Sequence, residues 1–192
     1  MSMQTTSIKI TRAEFQSRAD KLLAHIRQEK LSGVVLFDSY HILYYSGFSF
    51  IPTERPIAWV MNAQGEQGMF VPRLELEHAK ANVQGGRVDF YLEYPDIPHP
   101  MHGFKQMLTE MGFAHSARVG GDNDGYPWIL GYRGPSLTKL TGGRPIQVER
   151  VRLLDADLAD VAIEGHFGLP PMATLAAEDQ IFIAALRPIC PR

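Results

Sequence analysis

Residues 33–71 read GVVLFDSYHILYYSGFSFIPTERPIAWVMNAQGEQGMFV, and this stretch decides the fold. Its opening run, residues 34–37, is short, continuous and apolar, which is typical of a strand buried on both faces. Two later apolar runs flank Asn-Ala-Gln-Gly at 62–65, and this pattern predicts a hairpin because Asn and Gly supply the backbone angles of a tight turn. We interpret residues 38–56, between the strand and the hairpin, as an aromatic and polar loop that ends in an arginine beside a proline.

An amphipathic helix precedes the first strand. Thr11 and Glu14 have the spacing of a capping box. In this motif the Thr11 side chain accepts from the backbone N–H of Glu14, and the Glu14 side chain accepts from the backbone N–H of Thr11. The apolar residues behind them recur on one helical face, and Arg18 is expected to lie outside that face. The residues of the apolar face are Phe15, Ala19, Leu22, Leu23 and Ile26. A helix that leads directly into a buried strand favours a layered α/β packing.

Helical and strand patterns continue to alternate along the chain. We predict helices at 74–81 and 101–111, and strands at 87–92 and 146–151. Such alternation favours a three-layer α/β domain. The pattern changes after Arg152, so we divide the chain into a domain at 1–153 and a partly helical C-terminal extension at 154–192, which we do not expect to be a catalytic domain.

Composition excludes several classes of partner. The 192 residues carry a net charge of −2, with both signs interspersed, which gives no electrostatic case for nucleic acid or an anionic membrane. The N-terminal residues lack a signal-peptide pattern, and no apolar run approaches membrane-spanning length. Cys190 is the single cysteine, which excludes an internal disulfide and fits a reducing compartment. We therefore expect a cytoplasmic protein.

The sequence contains no recognisable catalytic or metal-binding motif. Seven histidines are present, but none belongs to a cluster with the spacing of a zinc site. Asp157, Asp160 and Glu164 can share a helical face near His166, although a solvated face explains them more simply. Cys190 lies between prolines near the chain end, a poor position for a nucleophile. We expect no catalytic residue and no metal ligand in this chain.

The candidate binding site is the loop that contains Arg55. Its guanidinium can bind a carboxylate through paired N–H groups, while neighbouring aromatic rings cover the apolar part of a small ligand. The candidate substrate-binding residues are Arg55, Phe50, Phe48 and Tyr45. The alternative is that Arg55 pairs with Glu54 or with a backbone carbonyl and that the aromatic residues belong to the core.

Several segments together resemble the N-terminal domain of the creatinase/prolidase/aminopeptidase P family. They are the helix at 13–27, Gly-Val-Val-Leu-Phe at 33–37, His-Ile-Leu-Tyr-Tyr-Ser-Gly-Phe at 41–48, Glu-Arg-Pro-Ile-Ala-Trp-Val at 54–60 and Val-Glu-Arg-Val-Arg-Leu at 148–153. The resemblance implies a three-layer α/β/α domain of ribonuclease H-like type, with a mixed sheet of five to six strands.

The resemblance also implies an accessory role. In this family the domain is joined to a "pita-bread" catalytic domain, where two Asp, one His and two Glu bind two divalent metal ions that activate water for cleavage of a peptide-type bond. The N-terminal domain helps to shape the active site, and the enzymes form homodimers. The family arginine that contacts the substrate carboxylate matches Arg55 by its distance after Tyr-Tyr-Ser-Gly at 44–47, so a small peptide or an amidino carboxylate is the implied substrate.

The chain departs from the family pattern at its C-terminal end. The residues after Arg150 are too few for a pita-bread domain, so we expect this chain alone to be inactive and to hold no cofactor. The leading interpretation is the accessory domain of an Xaa-Pro peptidase or creatinase-like hydrolase. The alternative is a free-standing module for small-carboxylate binding or for dimerisation. A nucleotide-binding protein is disfavoured, because no strand-to-helix turn carries a phosphate-binding glycine pattern.

Overall fold

The computed structural model describes residues 10–93, 98–113, 118–127, 129–142 and 146–147 of the chain. In chain order the elements are α1 (Arg12–Gln28), β1 (Gly33–Leu36), α2 (Ser39–Ser46), β2 (Ala58–Asn62), β3 (Gln67–Pro72), α3 (Leu76–Asn82), β4 (Arg87–Tyr91), α4 (Met101–Glu110), β5 (Val119–Gly121), α5 (Leu137–Thr141) and β6 (Ile146–Gln147). A short 3-10 helix, Arg73–Glu75, leads into α3. The later part of the predicted strand at 146–151 and the whole extension at 154–192 lie outside the described residues.

The six strands form one mixed sheet in the order β4-β3-β2-β1-β5-β6. β2 pairs antiparallel with both β1 and β3, so these three strands form a meander. The outer pairs, β3 with β4, β1 with β5 and β5 with β6, are parallel. The expected mixed sheet of five to six strands is therefore confirmed.

The sheet separates two hydrophobic cores, and consecutive residues of β1 contribute to opposite ones. Val34 and Leu36 belong to the core that contains the buried faces of α1, α2 and α3. Val35 and Phe37 belong to the core that contains α4 and α5. Successive side chains of a strand point to opposite faces, so a run that is apolar at every position must be covered on both sides. This arrangement confirms the three-layer α/β/α architecture.

The first helix begins as predicted but buries one more residue than expected. Thr11 caps α1 by accepting a hydrogen bond from the backbone N–H of Glu14 at 3.2 Å. The carboxylate of Glu14 is paired with the guanidinium of Arg18. Arg18 is itself buried, so its placement outside the apolar face was wrong. Its guanidinium lies 4.1 Å from the ring centroid of Tyr44 and donates to the Tyr44 carbonyl at 2.8 Å, which compensates its burial.

The segment interpreted as a loop at 38–56 begins with a helix. Asp38 caps α2, because its carboxylate accepts hydrogen bonds from the backbone N–H groups of Tyr40 and His41 at 2.9 and 3.2 Å. Gly47, with a φ of 77°, ends the helix in the left-handed conformation. Only the part that follows Gly47 is a loop, and it connects α2 to β2.

The predicted hairpin between β2 and β3 is confirmed. Gly65 has a φ of 94°, as the turn requires. The side-chain oxygen of Asn62 accepts from the backbone N–H groups of Gln64 and Glu66 at 3.1 and 2.9 Å, which closes the turn. The amide nitrogen of Asn62 donates to the Met111 carbonyl at 3.0 Å, which ties the turn to the end of α4.

Candidate functional site

The loop after α2 places Arg55 at one end of the sheet. β1 ends and β2 begins at this end, because Leu36 pairs with Trp59. β3 and β4 also finish here, because Pro72 pairs with Tyr91. The residues that follow β4 therefore come close to the loop, and the ion pair between Arg55 and Glu93 is the result.

Arg55 is a half-exposed arginine held by carboxylates. Its Nε atom lies 2.6 Å from Oε1 of Glu93, and one of its terminal nitrogens lies 3.9 Å from Oε1 of Glu54. Its side chain is 42% exposed. The pairing of one edge of a guanidinium fixes its plane, and the planar group can still present N–H donors to another carboxylate.

The three aromatic residues of the candidate site lie in or against the core. Tyr45 is buried and stacks on the indole of Trp59, with ring centroids 5.2 Å apart. Phe48 is fully buried and stacks on Phe50 at 5.7 Å. Phe50 is half-buried and packs against the same core. The structure thus brings these three rings together as packing residues, and it places Arg55 at the surface.

Tyr91 adds an unpaired hydroxyl to this end of the sheet. Its ring is buried and stacks on Phe70 at 5.1 Å. Within the part of the chain that the structure describes, its hydroxyl is buried without a hydrogen-bond partner. Burial raises the pKa of Tyr91, the charge of Glu93 adds to the increase, and Arg55 opposes it. No pattern in the sequence points to Tyr91 as a site residue.

A second polar cluster lies where the parallel strands β1 and β5 end. Asp122 is almost completely buried, and its carboxylate accepts hydrogen bonds from the backbone N–H groups of Phe37 and Asp38. Nδ1 of His41 lies 3.1 Å from Oδ2 of Asp122. Burial lowers the pKa of His41, but the hydrogen bond and charge of Asp122, with the charge of Asp38, outweigh burial and raise it.

Sequence reasoning missed this cluster, although each part carries a signal. Asp38 and Asp122 each follow an apolar strand, and carboxyl ends of adjacent parallel strands meet at one edge of a sheet. The missing information was that β1 and β5 are neighbours. With its carboxylate bonded to two backbone groups and an imidazole, the cluster can fasten α2 and β5 to the end of β1.

Asp124 has a structural role, and the C-terminal candidates are not among the described residues. Asp124 accepts hydrogen bonds from the backbone N–H and the hydroxyl of Thr138 at 2.6 and 2.8 Å, so it fastens the start of α5. The Asp157, Asp160, Glu164 and His166 group lies outside the described residues, as does Cys190. Among the described residues, no group of three or more His, Cys, Asp or Glu side chains is placed to hold a metal ion. None of the described helices has both the length and the apolarity needed to cross a bilayer.

Comparison with known proteins identifies a matching family and several relatives. The sequence model described as the Creatinase/Prolidase N-terminal domain matches residues 18–128. An uncharacterized peptidase of Staphylococcus haemolyticus (strain JCSC1435) is 26% identical over 96 residues, which are 49% of this chain and 27% of that protein. An uncharacterized peptidase of Staphylococcus aureus (strain USA300) is 22% identical over 95 residues, which are 50% of this chain and 26% of that protein. The chain spans about a quarter of the length of these relatives.

Solved structures show the same fold. A proline dipeptidase from Streptococcus pneumoniae TIGR4 is 29% identical, with a TM-score of 0.51 over 65% of this chain and 85% of that one. The Creatinase/Prolidase N-terminal domain of an X-Pro dipeptidase from Streptococcus pyogenes is 21% identical, with a TM-score of 0.55 over 69% of this chain and 93% of that one. Because the family model matches more than half of the sequence, the chain belongs to the Creatinase/Prolidase N-terminal domain family.

Proposed function

We propose that this domain is the accessory, non-catalytic part of a creatinase or Xaa-Pro peptidase-like hydrolase that cleaves a peptide-type C–N bond. In that role it shapes the substrate site and contributes to a homodimer of the parent enzyme. Family membership supports the assignment, and so do the peptidase and dipeptidase names of the relatives. We place the protein in the cytoplasm, in keeping with its single cysteine.

Arg55 is the residue that we propose to contact the substrate. The supporting observation is its position: the Arg55 side chain is 42% exposed at the end of the sheet where β2 begins, and Glu93 pairs with its Nε. A guanidinium held in this way can receive a carboxylate bidentately through its other N–H groups. We propose Phe50, half-buried in the same loop, as an apolar contact for the substrate, whereas Tyr45 and Phe48 support the loop from the core.

The two divalent metal ions of the family are proposed to belong to the catalytic domain. The described residues of this chain do not fit them, because no group of three ligating side chains is assembled among these residues. In the parent enzyme the metal ions would activate water for attack on the scissile bond. The part proposed for this domain is to bind and orient the substrate carboxylate through Arg55.

The test replaces the N-terminal domain of the Streptococcus pneumoniae proline dipeptidase by residues 1–153 of this chain. The chimera should hydrolyse an Xaa-Pro dipeptide, and Arg55→Ala in it should raise KM about tenfold or more, the expected effect of losing a hydrogen bond to a charged group. Arg27→Ala, at an exposed arginine of α1, is the matched control. An unchanged KM for Arg55→Ala would refute the assigned contact.

The same exposed arginine supports the alternative of a free-standing carboxylate-binding module. That alternative predicts that the purified chain binds an Xaa-Pro dipeptide or creatine saturably and loses the binding in Arg55→Ala. Calorimetric titration of the chain alone distinguishes the two proposals, because an accessory domain needs the catalytic domain to complete its site. Turnover of the dipeptide by the chain alone with added Mn²⁺ would contradict the non-catalytic assignment.

A further inference from the structure

The strand β4 lies at an edge of the sheet among the described strands. β3 pairs with one side of β4, and no described strand pairs with the other side. Alternate residues of an edge strand direct N–H and C=O groups outward, and these groups can pair with another strand. Many proteins block such an edge with a lysine, a proline or a bulge. Residues 87–93 read RVDFYLE, which contains no proline, and the alternation of a strand places its three charged residues on one face only.

One face of this edge is apolar and exposed. Val88 packs against the core on the α1, α2 and α3 side of the sheet. Strand alternation places Phe90 on the same side, and an extension of the strand by one residue would add Leu92. Phe90 is 47% exposed and Leu92 is 43% exposed. The guanidinium of Arg73 lies 5.1 Å from the ring centroid of Phe90, which covers one face of the ring. Large apolar residues on an unpaired edge favour association with a further strand.

The sequence of this edge is complementary to itself in an antiparallel pairing. If Phe90 lies opposite Phe90 of a second copy, Val88 lies opposite Leu92 and Arg87 lies opposite Glu93. Aromatic, apolar and opposite-charge pairs that face each other across strands each stabilise a sheet by about 0.2 to 1 kcal/mol. The side chains of Arg87 and Glu93 are 42% and 30% exposed, and each also holds an ion pair within the chain, Arg87 with Asp89 and Glu93 with Arg55. The apolar pairs therefore contribute most of the complementarity.

A register whose centre is shifted by two residues fits less well. Centring the pair on Val88 places Arg87 opposite Asp89, which is also an opposite-charge pair. It leaves Phe90 opposite Gly86, however, and Leu92 opposite Gln84, so the two most exposed apolar side chains of the strand gain no apolar neighbour. The register centred on Phe90 pairs every apolar residue of the exposed face.

We propose that two copies of this chain associate through β4, antiparallel and centred on Phe90, so that their sheets join into one continuous sheet. The inference rests on the homodimer of the proposed function and assigns it to a particular strand. A two-fold axis through Phe90 uses the same surface on both copies, which is the arrangement of a closed symmetric dimer. In this dimer the outward backbone groups of β4 form hydrogen bonds with those of the second copy, and its exposed apolar side chains pack against their counterparts.

Thiol cross-linking of the full chain tests the pairing and its register. In a Cys190→Ser background, Phe90→Cys should form a disulfide-linked dimer under mild oxidation, because residues directly opposite across antiparallel strands have Cβ atoms close to disulfide distance. Val88→Cys and Leu92→Cys should cross-link efficiently when mixed and poorly when each is oxidised alone. Leu130→Cys, at a leucine that is 97% exposed and is not part of β4, is the control and should remain monomeric on non-reducing gels.

Sedimentation of Phe90→Lys provides an independent measurement that needs no oxidation. Two lysines facing each other should raise the dimer dissociation constant at least tenfold, and Leu130→Lys should leave it unchanged. A wild-type chain that stays monomeric at high concentration would overturn the inference but not a homodimer held through the catalytic domain. A dimer that persists in Phe90→Lys, or that cross-links through Val88→Cys alone, would overturn the inference and leave the homodimer in place.

Discussion

Nδ1 of His41, in α2, lies 3.1 Å from Oδ2 of Asp122, which directly follows β5. The same carboxylate accepts the backbone N–H groups of Phe37 and Asp38 at about 3 Å. A buried carboxylate with three donors is well compensated for the loss of water. The contact therefore joins a helix, the end of β1 and the turn after β5.

The contribution of His41 to stability should depend on pH. The pKa of His41 in the folded chain is raised above its ordinary value of 6.5, despite burial, by Asp122 and Asp38. The stabilisation from charged His41 is therefore complete below pH 6.5 and is lost as the pH rises through the folded-state pKa. Compared with wild type, His41→Gln should lose more free energy of unfolding at about pH 5.5 than at about pH 8.5. Urea unfolding at both pH values measures this, and an equal loss at both would contradict it.

Replacement of Arg18 should destabilise the fold, although arginine is ordinarily a surface residue. The guanidinium packs on Tyr44 and bonds to its carbonyl, so Arg18→Ala removes both contacts and leaves a cavity. We expect a loss of about 2 to 4 kcal/mol in the free energy of unfolding. Arg18→Lys should recover only part of this loss, because an ammonium cannot reproduce the planar stacking. The control, Arg12→Ala at an exposed position of the same helix, should change stability by about 0.5 kcal/mol or less.

Two glycine substitutions should have opposite signs. A Cβ added to Gly33, in β1, would lie 2.4 Å from the Met61 carbonyl oxygen and 2.4 Å from the Phe113 ring. Gly33→Ala must therefore displace backbone, and we expect a loss of about 2 kcal/mol or more. A Cβ at the exposed Gly103, in α4, meets nothing closer than 3.9 Å. Gly103→Ala should raise stability by about 0.5 to 1 kcal/mol through helix propensity. Thermal unfolding measures both changes: the melting temperature should fall in Gly33→Ala and rise in Gly103→Ala.

Arg55→Ala should leave the fold almost unchanged. The ion pairs of Arg55 with Glu54 and Glu93 join side chains that are 30% to 50% exposed, and such pairs contribute about 1 kcal/mol or less. Urea unfolding of Arg55→Ala and Glu93→Ala should therefore stay close to wild type. A loss of several kcal/mol would identify Arg55 as a structural residue, and the KM change expected in the chimera would then no longer isolate substrate binding.

Local patterns in the sequence predicted most of the layered fold. The start of α1, the hairpin at Asn62 and Gly65 and the helix α4 each depend on residues that are close in sequence. The apolar run at 34–37 also predicted burial on both faces, which the two cores confirm. α2 was missed because its eight residues are too few to establish a helical period, and only Asp38 and Gly47 marked its ends.

The site was harder to predict because its contacts join distant segments. Glu93 follows β4 and Arg55 precedes β2, so their ion pair depends on the order of strands in the sheet. The His41 and Asp122 contact likewise requires that β5 lie beside β1. Arg18 was misplaced for another reason: its residue type favours solvent, but contacts with the ring and the backbone carbonyl of Tyr44 made burial favourable.

The position of β1 between an antiparallel and a parallel neighbour has a kinetic consequence. Gly33 pairs with Asn62 of β2, which is close in sequence. Gly33 also pairs with Val119 of β5, and the chain between these two residues includes β4 and α4, so this loop is much longer. Closing the longer loop costs more chain entropy before any contact compensates for it. We therefore expect β1, β2 and β3 to assemble first and β5 to dock late. In amide hydrogen exchange, β5 and β6 should open at lower free energy than the meander.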